Sequence, residues 1–427
     1  MSSFETHVIA PGLRLHVKPT RQFKTTTVRI HFTRNLDRGT TRAALLPYIL
    51  RRGTRSHPTM VHMSRHLEYL YGTTMGTNIL KVGEWQVLSF GADVPNERCL
   101  GTRVPVLERA LEFLGEAVFL PAGDGSFREE YVRTEIDNMR KFIVSLVENR
   151  AAYAMQRLVE ILCGGEPFAR YEYGSPDALE SIQPSGLYRF YRSTCRRAPI
   201  DIYVLGDVGP EQVLRSVERI FRHPRTGRYR LSPPVLRPAG RKVKLFREHL
   251  GVAQAHLLMG YRSTVAFSHR LSHALALAGA ILGGFPHSKL FRTVREKASL
   301  AYSVGAHVVR TKGIMVAYAG TEPGNEAKVQ RLIEREVGRL KAGRISSFEM
   351  ESTRSGILDE LASITDSPAG EIEFHFAHLL HGERKTPLEL SQVIRGLTRA
   401  EVTAAANRLL LDTVYVLTKP APGDEPA

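Results

Sequence analysis

The sequence is poor in cysteine and short of acid. Its 427 residues hold three cysteines, Cys99, Cys163 and Cys195, which are far apart and include no Cys-x-x-Cys pair. That spacing argues against a disulfide framework and a thiolate zinc site, and suits a reducing compartment. No apolar run approaches the roughly 18 residues of a membrane-spanning helix. The opening MSSFETHVIAPG lacks the basic-then-apolar pattern of a secretory signal. A cytoplasmic protein with no membrane partner is expected. Asp and Glu number 43 against 59 Lys and Arg, a formal charge of +16. A charge of that sign favours acidic partners. No DNA- or RNA-binding motif accompanies it, so nucleic acid is not the expected one.

The composition is globular, 43% hydrophobic and 24% charged, and the length suits two domains of roughly 200 residues each. LRLHVKP and TTTVRIHF read as strands, and residues 40–52 as a helix. TTMGTNILKV and WQVLSFGADV read as a hairpin around Gly83 and Glu84. A long helical pattern follows over 127–162, ended by Gly164-Gly165. Between Arg222 and Arg247 lie nine basic residues and no acid. Within this stretch, residues 222–242 are rich in Pro, Gly and Arg and have no apolar period. They read as a solvated linker or a surface facing an acidic partner.

After the linker the element order begins again. The first half closes with a helix and then IDIYVLGD; the chain's end has a helix and then DTVYVLTK. Tyr203-Val204-Leu205 and Tyr415-Val416-Leu417 sit at corresponding places. This points to duplication of an α+β unit. The expected boundaries are 1–221, a basic linker 222–242, and 243–427. The expected fold is α+β, each domain a mostly antiparallel sheet packed with helices.

Several side-chain groups carry potential chemistry. His62 and His66 are spaced one helical turn apart, as are His269 and His273; His375, His378 and His381 recur every third residue. Two such histidines can share a metal, but catalysis also needs a third ligand and a base. Exposed or hydrogen-bonded histidines are the simpler reading. Further on, Arg295 and Tyr302 lie seven residues apart, near a helix end and entering a strand. A fixed cation and a neutral donor both suit an oxyanion. A structural arginine and a core tyrosine would account for the pair equally well.

GGFPHSKLFRTVREKASLAYSV, residues 283–304, resembles the second-domain signature of the pitrilysin/insulinase metallopeptidases, which include the mitochondrial processing peptidases. GSPDALESI, FYRSTCRRAPIDIYVLGDVGPEQV and QAHLLMGY match further family segments in order, so the resemblance covers nearly the whole chain. It implies two similar α+β domains arranged as a clamshell. The family's His-x-x-Glu-His helix, which runs into a Gly-Thr pair, aligns with ALLPYILRRGT. Anchored on Gly53-Thr54, the first zinc histidine falls on Ala44, the base glutamate on Pro47 and the second histidine on Tyr48. Ala and Pro have no donor atom, and one Tyr cannot hold a catalytic zinc. The distal ligand glutamate corresponds to Glu135, read here as a solvated helix residue.

With the zinc helix lost and the Arg/Tyr signature kept, the chain resembles the non-catalytic subunits of two-chain family members. The resemblance implies no metal and no catalytic residue in this chain, and zinc in a partner subunit of a heterodimer. Arg295 and Tyr302 would bind the peptide substrate and stabilise the oxyanion. Alone, the chain would be inactive. Two alternatives stand beside this: a scaffold or binding pseudopeptidase with no share in catalysis, and a subunit of a protease that trims leader peptides.

Overall fold

The computed structural model describes residues 3–123 and 125–420. They form two compact units. The first comprises the chain up to Val144 together with Arg170–Pro233 and Ser367–Glu373; the second comprises Ser145–Ala169, Pro234–Asp366 and the chain from Phe374 on.

The first unit is built on six strands: β1 (Glu5–Ala10), β2 (Leu13–Pro19), β3 (Thr25–Asn35), β4 (Thr74–Val82), β5 (Trp85–Pro95) and β6 (Ile200–Gly206), in the order β1-β2-β6-β3-β5-β4. Only β2 and β6 run parallel; the other pairs are antiparallel. Alternation along the strands sends Leu13, Leu15, Ile30, Ile202 and Val204 into one apolar core. The opposite face is polar. There Asp201, fully buried, accepts hydrogen bonds from Arg14 Nε (2.7 Å) and Nη2 (3.0 Å) and is bonded to His16 Nε2 (2.9 Å). Tyr203 stacks on His16 with ring centroids 4.4 Å apart. The Ser367–Glu373 segment meets this face through Lys18–Glu371 and through Glu373, 3.7 Å from His31.

The second unit repeats the pattern with β7 (Lys244–His249), β8 (Ala255–Arg262), β9 (Ala301–Val309), β10 (Ile314–Thr321) and β11 (Leu410–Thr418), ordered β7-β11-β8-β10-β9. Again only one pair, β7 with β11, is parallel. The order matches β2-β6-β3-β5-β4 strand for strand. Tyr203 pairs across to His16 and Tyr415 to Phe246. The echoed Tyr-Val-Leu therefore marks the same position in two copies of one sheet, and the duplication is real at the level of topology.

Two expectations need correction. The long helical pattern over 127–162 is two helices, Glu129–Ser145 and Arg150–Leu162. Asn149 caps the second by accepting from Ala152 N (3.1 Å), and a capping side chain stabilises a new start where helix-forming composition alone suggests none. The break has a consequence. Arg150–Leu162 belongs to the second unit, where Ala154 and Leu158 pack with Leu258, Tyr415 and Leu417. The linker does not mark the whole division.

Nor is the linker simply solvated. Arg225, half-buried, donates to the carbonyls of Gly12 (3.1 Å) and Pro11 (3.3 Å), and Trp85 Nε1 donates to Ser232 O at 2.9 Å. Further along, Arg237 donates to the carbonyls of Gly164 (3.5 Å) and Gly165 (3.3 Å). Beneath it Glu166 is fully buried between Arg262 Nη2 (2.6 Å) and Lys312. Asp412 lies 3.6 Å from Arg262 Nε. Arginines whose guanidinium forks satisfy loop and helix-end carbonyls account for part of the basic excess without any external partner.

Candidate functional site

The helix Thr40–Leu50 carries the positions where the resemblance puts a zinc motif. Pro47 lies inside it. A proline there removes one helical hydrogen bond and costs about 3 kcal/mol. Nine of the eleven residues are buried, so core packing offsets that cost. Ala44 is fully buried in the core. Tyr48 is half-buried on the helix. Burial raises the pKa of the Tyr48 and Tyr173 hydroxyls, and Tyr171, its ring 5.2 Å from that of Tyr173, is pushed up to about 12.

Glu135 is not the solvated residue expected. It is 7% exposed, receives a hydrogen bond from Arg52 Nε, and lies 3.4 Å from Asn138 Nδ2. Tyr48, Arg51, Arg52, Glu135, Asn138 and Phe142 line a cavity of about 300 Å³. Its donor set does not fit zinc. One carboxylate is already paired, and the adjoining guanidinium is a fixed positive charge that repels a divalent cation. Arg52 was missed in the sequence because it falls outside the motif and its partner is far along the chain.

The histidines are occupied otherwise. His62 Nδ1 is bonded to Thr59 Oγ1 at 2.7 Å. His66 packs on His57 (4.4 Å) and Phe113 (5.0 Å). His269 Nδ1 accepts from Leu271 N at 3.0 Å. His378 and His381 surround the ring of Phe267, with Arg310 4.2 Å over it. Burial holds His273 and His381 down at about 4, and Arg310 pushes the same way. Among the described residues no three or more His, Cys, Asp or Glu side chains gather as a metal site. No described helix is long and apolar enough to cross a membrane.

The Arg295/Tyr302 segment has unusual backbone. Phe291–Lys297 is a π-helical turn, with Ala298 N donating to Thr293 O five residues back at 3.2 Å. Ser299 then takes φ +51°, a left-handed conformation that costs a non-glycine residue of order 1 kcal/mol. Such turns recur at functional positions. Arg295 is exposed, its guanidinium 4.8 Å over the Phe291 ring. Tyr302, two residues into β9, is 64% exposed and donates to Glu322 Oε1 at 3.2 Å. Tyr302 is therefore not a core residue. Among the described residues no hydrogen bond joins it to Arg295; the two sit on adjoining elements and both face solvent.

The glycine pair before this turn has a steric cause. A Cβ on Gly283 would meet Ala306 N at 2.3 Å and Gly305 C at 2.6 Å, both backbone atoms of β9. Only glycine lets the helix Ser272–Gly283 approach that strand so closely.

The model of a family described as the peptidase M16 inactive domain matches residues 181–357. The chain is 31% identical over 411 residues to a "Probable inactive metalloprotease YmfF" of Bacillus subtilis (strain 168), covering 95% of this chain and 96% of that relative. Among solved structures, a conserved protein from Enterococcus faecalis V583 superposes with a TM-score of 0.91 at 26% identity, covering 99% of this chain and all of that one. A peptidase M16 inactive domain from Pseudomonas fluorescens superposes with a TM-score of 0.79 at 18% identity, over 99% of this chain and all of that one.

Proposed function

The chain belongs to the M16 peptidase family, the pitrilysin/insulinase group, as an inactive homologue, and on that premise we propose that it is the zinc-less subunit of a two-chain metallopeptidase. In this reading a second family member supplies the metal, the base and the attacking water. This chain supplies Arg295 and Tyr302 to the peptide being cleaved. As the scissile carbonyl oxygen gains negative charge, the guanidinium and the phenol donate hydrogen bonds to it. The substrate adds as a strand to a sheet edge, held by main-chain hydrogen bonds. Both chains work in the cytoplasm.

The observation that carries the reading is a contrast between the two ends of one signature. At the degenerate helix, Ala44 and Pro47 are buried without donors and Glu135 is tied to Arg52. At the Arg/Tyr segment, both donors are exposed on either side of the left-handed Ser299. A second reading, a scaffold with no share in catalysis, draws on the bond that already occupies the Tyr302 hydroxyl.

One experiment separates them. The chain is co-expressed with an intact zinc-bearing family member from the same genome, and peptide hydrolysis is measured on the purified pair. The catalytic reading expects Arg295→Ala and Tyr302→Phe to lower the rate by about 10²–10³ while the pair still co-purifies. Full activity in both variants would leave the scaffold reading.

A further inference from the structure

The two copies of the sheet differ at one edge. In the first unit β2 is covered by β1, which pairs antiparallel along it with His7 opposite Leu15 and Thr6 opposite His16. In the second unit the strand at the same place, β7, is hydrogen-bonded to β11 on one side, and no described strand pairs with the other. Registering Tyr415 on Tyr203 puts Leu245 at the position of Leu15, Phe246 at that of His16 and Arg247 at that of Val17. Leu15 and His16 are 0% exposed; Leu245 is 70% and Phe246 42% exposed. A strand position that is buried in the first unit is left in solvent, with an outer edge that no strand covers among the described residues. Native proteins normally cover or blunt such an edge.

We propose that β7 is a docking edge for one extended segment of an acidic partner polypeptide, which adds as an antiparallel strand in the place β1 takes on β2. The length follows from that precedent, since β1 has six residues. The chemistry follows from the side chains. Lys244 and Arg247 stand on the strand, with Arg241 and Lys242 just before it. The strand's one acid, Glu248, is already held by Tyr415 (2.8 Å), Arg157 (3.3 Å) and Tyr153. A second copy of this chain would bring the same basic edge and the same +16 charge; an acidic strand with apolar residues meets both the charge and Leu245 and Phe246. In such augmentation the main chain supplies affinity and the side chains supply selection. The edge lies at the opposite side of the sheet from β9 and Tyr302, so the inference does not depend on the catalytic reading.

A fluorescein-labelled octapeptide of valine and glutamate, titrated into the full chain and followed by anisotropy, tests this. The same peptide with lysine for glutamate should bind at least tenfold more weakly. Leu245→Asp and Arg247→Glu, both at exposed positions, should each weaken binding at least tenfold with thermal unfolding unchanged. Hydrogen exchange on the unaltered chain should show protection of the 244–249 amides when the glutamate peptide is added. Equal binding of both peptides, or protection confined to another segment, overturns the proposal. So does a dimer in size-exclusion chromatography that Leu245→Asp dissociates, because the occupant is then a second copy.

Discussion

Nε of Arg52 donates a hydrogen bond to Oε1 of Glu135, across 83 residues of sequence. The carboxylate that the resemblance marks as a distal metal ligand is thus neutralised by a side chain of the same unit. Glu135 is nearly buried, so removing its partner leaves a charge without compensation. Arg52→Ala should lower stability by about 1–3 kcal/mol, read from the urea midpoint. Arg52→Ala combined with Glu135→Ala should recover part of that loss, because the stranded charge goes too. A double variant no more stable than the single would show that the arginine acts by packing alone.

His31 makes stability depend on acid. It is fully buried, and its pKa is lowered to about 3; burial is the main cause, opposed by Asp201 and reinforced by Arg29 and His16. The unfolded chain therefore binds this proton near pH 6.5, while the folded chain refuses it down to about 3. The stability that neutral His31 contributes is present above pH 6.5 and lost as the pH falls toward 3, by up to about 1.4 kcal/mol per pH unit. Glu373, 3.7 Å away, works in the opposite direction. Burial raises its pKa, so the folded form takes its proton first and gains stability in acid, but only near the carboxylate range. Between pH 6.5 and 5 the His31 effect should outweigh that of Glu373. Melting curves of His31→Asn should be flatter than those of the unaltered chain over that interval; parallel curves would count against it.

Glu166 is the shared anion of two buried cations, Arg262 and Lys312. Its exchange for glutamine keeps the shape and removes the charge. Breaking a buried pair in this way costs about 3–5 kcal/mol, and chemical denaturation of Glu166→Gln should show a loss of that order. A loss below about 1 kcal/mol would mean that water or Asp412 takes over the compensation.

Gly283→Ala tests the close approach of helix and strand. The added methyl would stand 2.3 Å from a backbone nitrogen of β9, and backbone yields less readily than a flexible side-chain tip. Overpacking of this kind costs about 1–3 kcal/mol. In a complex that cleaves peptide, the rate should fall as well, because β9 carries Tyr302. Unchanged stability would show that the helix end shifts freely.

The duplication was legible in the sequence because β6 and β11 lie inside their sheets and are buried along nearly all their length, which leaves little freedom at Tyr203-Val204-Leu205 and its counterpart. The lack of donor side chains at Ala44 and Pro47 needs no geometry to recognise. The break before Arg150 was not legible, since both helices are rich in helix formers and one asparagine at 149 supplies the only local signal. The Arg52–Glu135 pair and the reach of Arg225 and Arg237 into backbone carbonyls were beyond reading, because each depends on tertiary proximity. The π-helical turn was hidden too. Its composition is that of any amphipathic helix.

The helix Arg150–Leu162 comes from the first half of the chain and covers the sheet of the second unit, while Ser367–Glu373 comes from the second half and meets the sheet of the first. Each repeat has surrendered a piece of itself to the other. A cut in the linker would therefore yield two fragments, each with a sheet whose cover has stayed on the other fragment. Whatever ancestor carried a single copy, its doubled descendant can no longer be divided at its seam into two self-sufficient proteins.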